Sequence, residues 1–182
     1  MDYFVKDDGS SEVVFKKHSV EPRRVMGGAE CIFIPVKETT DGPASFGYKC
    51  FLTSQECIAS AKRQKKASLH KIAPDVLSNT MRPIELFIES QRVKVALGTI
   101  AAIDGWGNKA ARRFNKGGLV KLWAYKTQVA KTVRKNTEFG PEYSRLSAKM
   151  RKHGFPVGDL ADANMGRIDG KLVCIDFGNL SS

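Results

Sequence analysis

No run of apolar residues in this sequence is long enough to cross a bilayer, and the start Met1-Asp2-Tyr3 lacks the basic and apolar regions of a secretory signal. The expectation is a cytoplasmic protein with no membrane role. Cysteine is sparse. Cys31, Cys50, Cys57 and Cys174 are scattered, with no Cys-x-x-Cys pair and no histidine arranged beside them, which excludes the usual zinc sites. Reduced, buried thiols are expected, with Cys50 and Cys174 packing inside apolar, strand-like runs. Internal repeats and low-complexity tails are absent as well, and 182 residues leave room for one sizeable core and little more.

Acidic residues are outnumbered, 19 against 30 Lys and Arg, for a formal net charge of +11. The excess is uneven. Between Asn108 and Lys152 stand Lys109, Arg112, Arg113, Lys116, Lys121, Lys126, Lys131, Arg134, Lys135, Arg145, Lys149, Arg151 and Lys152, opposed only by Glu138 and Glu142. A face of that kind attracts an acidic protein or a nucleic acid through long-range electrostatics, and a solvated helix surface accounts for it equally well. No sequence-reading motif for DNA or RNA accompanies the charge.

What is present is concentrated at the C-terminal end. Asp159-Leu160-Ala161-Asp162-Ala163-Asn164 is followed by Met165 to Ile175 and then by Asp176-Phe177-Gly178. The intervening stretch reads as a hairpin: Met165 to Ile168, an Asp169-Gly170 turn, and Lys171 to Ile175. A hairpin of that length returns Asn164 and Asp176 to one another at its open end.

The pattern Asp-Leu-x-x-x-Asn followed by Asp-Phe-Gly resembles the protein-kinase-like superfamily. Val157-Gly158-Asp159-Leu160 is closer to the Gly-Asp-Leu form of aminoglycoside phosphotransferases and atypical kinases than to the His-Arg-Asp form; Val157 stands where the family usually has histidine, and Ala161 where the phosphotransferases have a second one. The resemblance implies a minimal, two-lobed α+β fold truncated after Asp-Phe-Gly: an N-lobe over residues 1–103, with an antiparallel sheet plus helix, and a truncated, mainly helical C-lobe over residues 104–182. It implies ATP and Mg2+ as cofactors, Asp159 as catalytic base, Asn164 and Asp176 as metal ligands, and transfer to a protein serine or threonine hydroxyl or to a small molecule. Small kinase-like proteins of this look are often encoded by bacteriophages, which implies a regulator of host proteins in the host cytoplasm. The alternative is a catalytically inactive kinase-like binding or inhibitory protein acting through its basic surface on an acidic protein or a nucleic acid.

Strands are expected over Glu12 to Lys17, Cys31 to Lys37 and Phe46 to Leu52, with a turn at Asp41-Gly42-Pro43. Lys49, in the third strand, is the candidate for the family lysine that holds the nucleotide phosphates. A helix from about Ser54 to Ile72 should follow, capped by Thr53 or Ser54 with Glu56 in its first turn. Either Glu56 or Gln64 would pair with Lys49. Gly27-Gly28 either lets the backbone approach phosphates or forms a simple glycine turn. Ile84 to Glu89 and Arg92 to Thr99 read as two more strands, Gly98 to Gly107 as the hinge that meets an adenine ring, and Leu119 to Arg134 as a helix. A second helix is expected over Glu142 to Lys152, closed by His153-Gly154, with His153 set against helix-end carbonyls.

Overall fold

Ile32, Ile34 and Val36 alternate with other residues, as do Val120, Leu122 and Ala124, and each triplet is buried. A period of two places each set on one face of a strand. A computed structural model describes residues 3–5, 19–20, 26–27, 31–37, 46–78, 82–88, 91–103, 112, 114, 116, 118–133, 140–158, 160–161 and 164–176. Its architecture is α+β, and the chain divides into two compact units: Met1–Ile58 with Ser78–Thr127, and Ala59–Leu77 with Gln128–Ser182.

The first unit is built on a seven-stranded sheet. Its strands are β1 (Tyr3–Val5), β2 (Ser19–Val20), β3 (Met26–Gly27), β4 (Ile32–Lys37), β5 (Phe46–Phe51), β6 (Arg82–Ile88) and β7 (Gly118–Gln128). The order is β1-β6-β7-β5-β4-β2, with β3 also on β4. Pairing is antiparallel between β2 and β4, β3 and β4, β4 and β5, and β6 and β7, and parallel between β1 and β6. Helix α1 (Ser54–Leu69) leaves β5 and runs from the first unit into the second, and α2 (Gln91–Ile103) lies between β6 and β7 in sequence. Leu97, Ile100 and Ala101 of α2 join Ile32, Ile34, Val36, Phe46, Cys50, Val120, Leu122 and Ala124 in one core.

Two secondary-structure expectations are corrected here, and the hinge in part. Arg92 to Thr99 is helical rather than extended. The alternation of Val93, Val95 and Leu97 reads as a strand, but burial falls on Leu97, Ile100 and Ala101, a three-and-four spacing in an alanine-containing run. Conversely, Leu119 to Gln128 is strand rather than helix. Val120, Leu122 and Ala124 face one core, while Tyr125 and Thr127 are buried on the opposite face; a strand covered on both sides loses the simple alternation that would reveal it. The expected hinge is corrected in part: its first residues, Gly98 to Ile103, belong to α2, and the chain passes between units at Ile58–Ala59, Leu77–Ser78 and Thr127–Gln128. The strand expected over Glu12 to Lys17, the Asp41-Gly42-Pro43 turn and the remainder of the expected hinge, 104–107, lie outside the described residues.

The second unit holds a three-stranded sheet ordered β10-β9-β8, from β8 (Lys131–Thr132), β9 (Met165–Ile168) and β10 (Lys171–Cys174), together with α3 (Gly140–Lys152). Ala67, Ile72, Leu146, Met150, Phe155, Leu160, Met165, Leu172 and Cys174 make its core. Both helices in this unit end in the same motif. After α1, the Ile72 amide donates to the Ala67 carbonyl (3.1 Å) and the Lys71 amide to Ser68 (2.8 Å). After α3, the Phe155 amide donates to Met150 (2.9 Å) and the Gly154 amide to Arg151 (3.1 Å). This is the Schellman closure, in which the residue past the helix takes a left-handed backbone. Gly154 does so at φ 73°, without strain, whereas Lys71 does so at φ 53°.

Candidate functional site

The β9–β10 hairpin forms as its sequence dictates. Asp169 and Gly170 both have positive φ, 49° and 76°, the requirement of the tight two-residue turn that matches strand twist. Register then runs Ile168↔Lys171 through Met165↔Cys174. One further bond closes the open end, where the Ile175 amide donates to the Asn164 carbonyl at 2.8 Å. Asn164 thus sits opposite Ile175, the residue before Asp176, at the mouth of the hairpin. Two more contacts hold them. The Asn164 amide donates to Ala161 (2.8 Å), and the Cys174 thiol donates to the Asp176 carbonyl (2.9 Å). Leu160 and Met165 sink into the core on either side of the loop, and the Cys174 amide donates to Ile72 (2.8 Å), fastening β10 to the segment after α1.

Asn164 and Asp176 are each half-buried and offer an amide and a carboxylate oxygen, the hard donors that magnesium takes. No group of three or more His, Cys, Asp and Glu side chains suited to a metal occurs among the described residues. Magnesium needs none, because it is commonly held by one or two protein oxygens with phosphates and water completing the shell. Asp159, with Phe177 and Gly178 of the terminal motif, lies outside the described residues.

Lys49 belongs to the first unit. It sits on β5, flanked in the sheet by β7 and β4 and opposite Phe33 in register, and only 8% of it is exposed. Such burial is rare for lysine and separates it from a solvated edge residue. By alternation it occupies the sheet face opposite the α2 core. Of its two candidate partners, Glu56 closes a capping box: the Thr53 hydroxyl donates to its carboxylate at 2.7 Å and the Glu56 amide donates back to Thr53 at 3.2 Å. Gln64 is buried in the second unit, where its amide nitrogen donates to the Pro74 carbonyl at 2.9 Å. Gly27 lies in β3, paired with Ile32, and Gly28 lies outside the described residues.

The cysteines are free and buried. Burial, reinforced by the nearby Cys31, pushes the Cys57 thiol up to about 12, and burial also raises Cys50, with Cys31 and Cys57 adding to the effect. Thiols held protonated in this way pack and do not react. His153 ends α3, but its ring stacks on His70 at 3.6 Å between centroids and 17° between planes; only its backbone amide meets carbonyls, those of Lys149 and Met150.

The described part of the basic run from Asn108 to Lys152 is divided between the two units. Lys121 and Lys126 lie on β7 in the first unit, with the Lys126 ammonium 3.6 Å from the centroid of the Phe46 ring, whereas Lys131, Arg145 and Lys149 belong to the second. Sequence reading missed Lys71 and Lys171, which stand beside Arg145 and Lys149 around a groove in the second unit. A lysine where a Schellman motif favours glycine was the available signal for Lys71. Comparison with protein-family models, with curated proteins and with solved structures finds no significant match to this chain.

Proposed function

We propose that this chain is a minimal kinase-like phosphotransferase that moves a phosphoryl group from ATP with magnesium to a protein serine or threonine hydroxyl. The observation that carries the reading is the mouth of the β9–β10 hairpin. There the Ile175–Asn164 backbone bond of 2.8 Å sets Asn164 beside the residue that precedes Asp176, twelve positions on in sequence, which supports a shared role for the two. In-line phosphoryl transfer requires metal ligands to converge, since metal ions must neutralise the phosphate oxygens while a carboxylate orients the attacking hydroxyl. Asn164 and Asp176 hold the metal, Asp159 is the base, and Lys49 is the cation for the phosphates. Strand, buried lysine and following helix occur in the family order over β5 and α1. When bound, magnesium supplies charge neutralisation; the chain's own residues bind, orient and take the proton at the Asp159 carboxylate.

Calorimetry with ATP, with and without magnesium, tests binding, and radiolabel transfer tests chemistry. Asp159→Asn should abolish transfer and leave ATP binding largely intact, because a base touches the acceptor and not the nucleotide complex. Equal transfer by wild type and Asp159→Asn refutes the assignment.

A further inference from the structure

A groove of about 350 Å³ opens in the second unit between α3, the closed end of the β9–β10 hairpin and Lys71, just past the end of α1. Lys71, Arg145, Lys149 and Lys171 line it, and Leu146 and Leu172 form its floor. Its one carboxylate, Glu142, is already occupied. Arg167 holds it through two bonds, Nη1 to Oε1 at 2.8 Å and Nη2 to Oε2 at 2.5 Å, and also donates to the Gly170 carbonyl at 2.7 Å. That bridge ties α3 to the hairpin and engages the one carboxylate of the lining, which also feels Arg145, so the four exposed cations outnumber it.

The chemistry of the lining selects the occupant. All four cations sit on long, exposed side chains whose aliphatic stems, with the two leucines, make the walls apolar. Such a surface suits several anionic groups spread along a chain that also carries an aliphatic side chain. Arg145 and Lys149 lie one helical turn apart, a rise of roughly 6 Å, close to the spacing of alternate carboxylates on an extended peptide. A nucleic-acid strand is the poorer fit, because no aromatic ring lines the groove to stack a base. Lys71 strengthens the case: it keeps a left-handed backbone that glycine would adopt at no cost, and its side chain contributes to the lining.

We propose that this groove binds an acidic segment of a partner protein, its carboxylates on Lys71, Arg145, Lys149 and Lys171 and one aliphatic side chain between them. The proposal is independent of phosphoryl transfer, since none of the lining residues belongs to the mouth of the hairpin. The test is fluorescence polarisation on the full chain with a labelled peptide of glutamates flanking one leucine. The same peptide with serine for leucine, and a labelled oligothymidylate, serve as competing probes. The glutamate–leucine peptide should bind tightest. Binding should fall about thirty-fold in the double variant Arg145→Glu, Lys149→Glu, since each reversal removes an attraction and adds a repulsion of similar size. It should fall roughly five-fold when serine replaces leucine. The pair Lys116→Glu, Lys121→Glu changes net charge equally on exposed residues of the first unit and should leave binding within two-fold. Equal loss in both double variants, tighter binding of the oligothymidylate, or no binding of the peptide overturns the proposal. Circular dichroism of each variant separates loss of the groove from loss of the fold.

Discussion

At its open end the Met165–Cys174 hairpin is flanked by Asn164 and Asp176, half-buried oxygen donors; at its closed end it presents Arg167 and Lys171 to α3 and to a groove of cations. The same two strands thus serve opposite charges. The difference lies in what holds each end. The open end is held by backbone and thiol hydrogen bonds, from Ile175, Asn164 and Cys174, which fix its position. The closed end is held by a bidentate Arg167–Glu142 pair, which consumes the only carboxylate in the groove lining and so sharpens its positive character. A hairpin of four residues per strand is too small to stand alone, and both ends depend on the core beneath.

Breaking that shared core should have the largest effect. Met150→Ala removes a side chain 1% exposed from the cluster that holds Leu172, Cys174 and Met165, and should cost about 2–5 kcal/mol, measured by urea unfolding. Both ends should fail together. Gly166→Ala acts within the hairpin. A Cβ there would lie 2.8 Å from the Ala130 Cβ and 3.2 Å from the Lys131 carbonyl oxygen, so the β8–β9 pairing must give, at about 1–3 kcal/mol. Lys71→Gly separates the ends instead. It should relieve left-handed backbone strain and raise stability by up to about 1 kcal/mol, while weakening the acidic peptide and leaving nucleotide binding unchanged.

The smallest effect is a pH dependence at the end of α3. Burial, with His70 and the cations Lys152 and Lys149, lowers the His153 pKa below its ordinary 6.5. The folded state therefore favours the neutral ring, and the unfolded chain takes up a proton first as pH falls. Stability from this group is full above about pH 6.5 and declines below it. Unfolding at pH 7.5 and 5.5 in wild type and His153→Gln checks the sign, with a shallower acid loss expected in the variant.

Much of the hairpin was legible because its signals are local: an Asp-Gly turn, apolar strands of matched length and a polar residue at each mouth position. The end of α3 was legible for the same reason, since Gly154 supplies the left-handed closure directly. Helix α2 and strand β7 were not. Val93 to Leu97 alternates like a strand although tertiary burial selects Leu97, Ile100 and Ala101, and β7 is buried on both faces towards its end. The groove was hidden because its cations come from three elements far apart in sequence, and only α3 lies in the basic run that charge counting finds. Of the candidate site, the pairing of Asn164 with Ile175 at the open end was readable from hairpin length, whereas the burial of Lys49 depends on β7 and β4 flanking β5, a long-range arrangement.

The open end carries the central claim, and magnesium-dependent ATP binding measured by calorimetry on wild type and Asp176→Asn tests it most directly. The account predicts saturable binding by wild type that needs magnesium, and a loss of about a hundredfold in Asp176→Asn with the fold intact. Binding that is indifferent to magnesium and to Asp176, or no binding by the folded wild type, would contradict it.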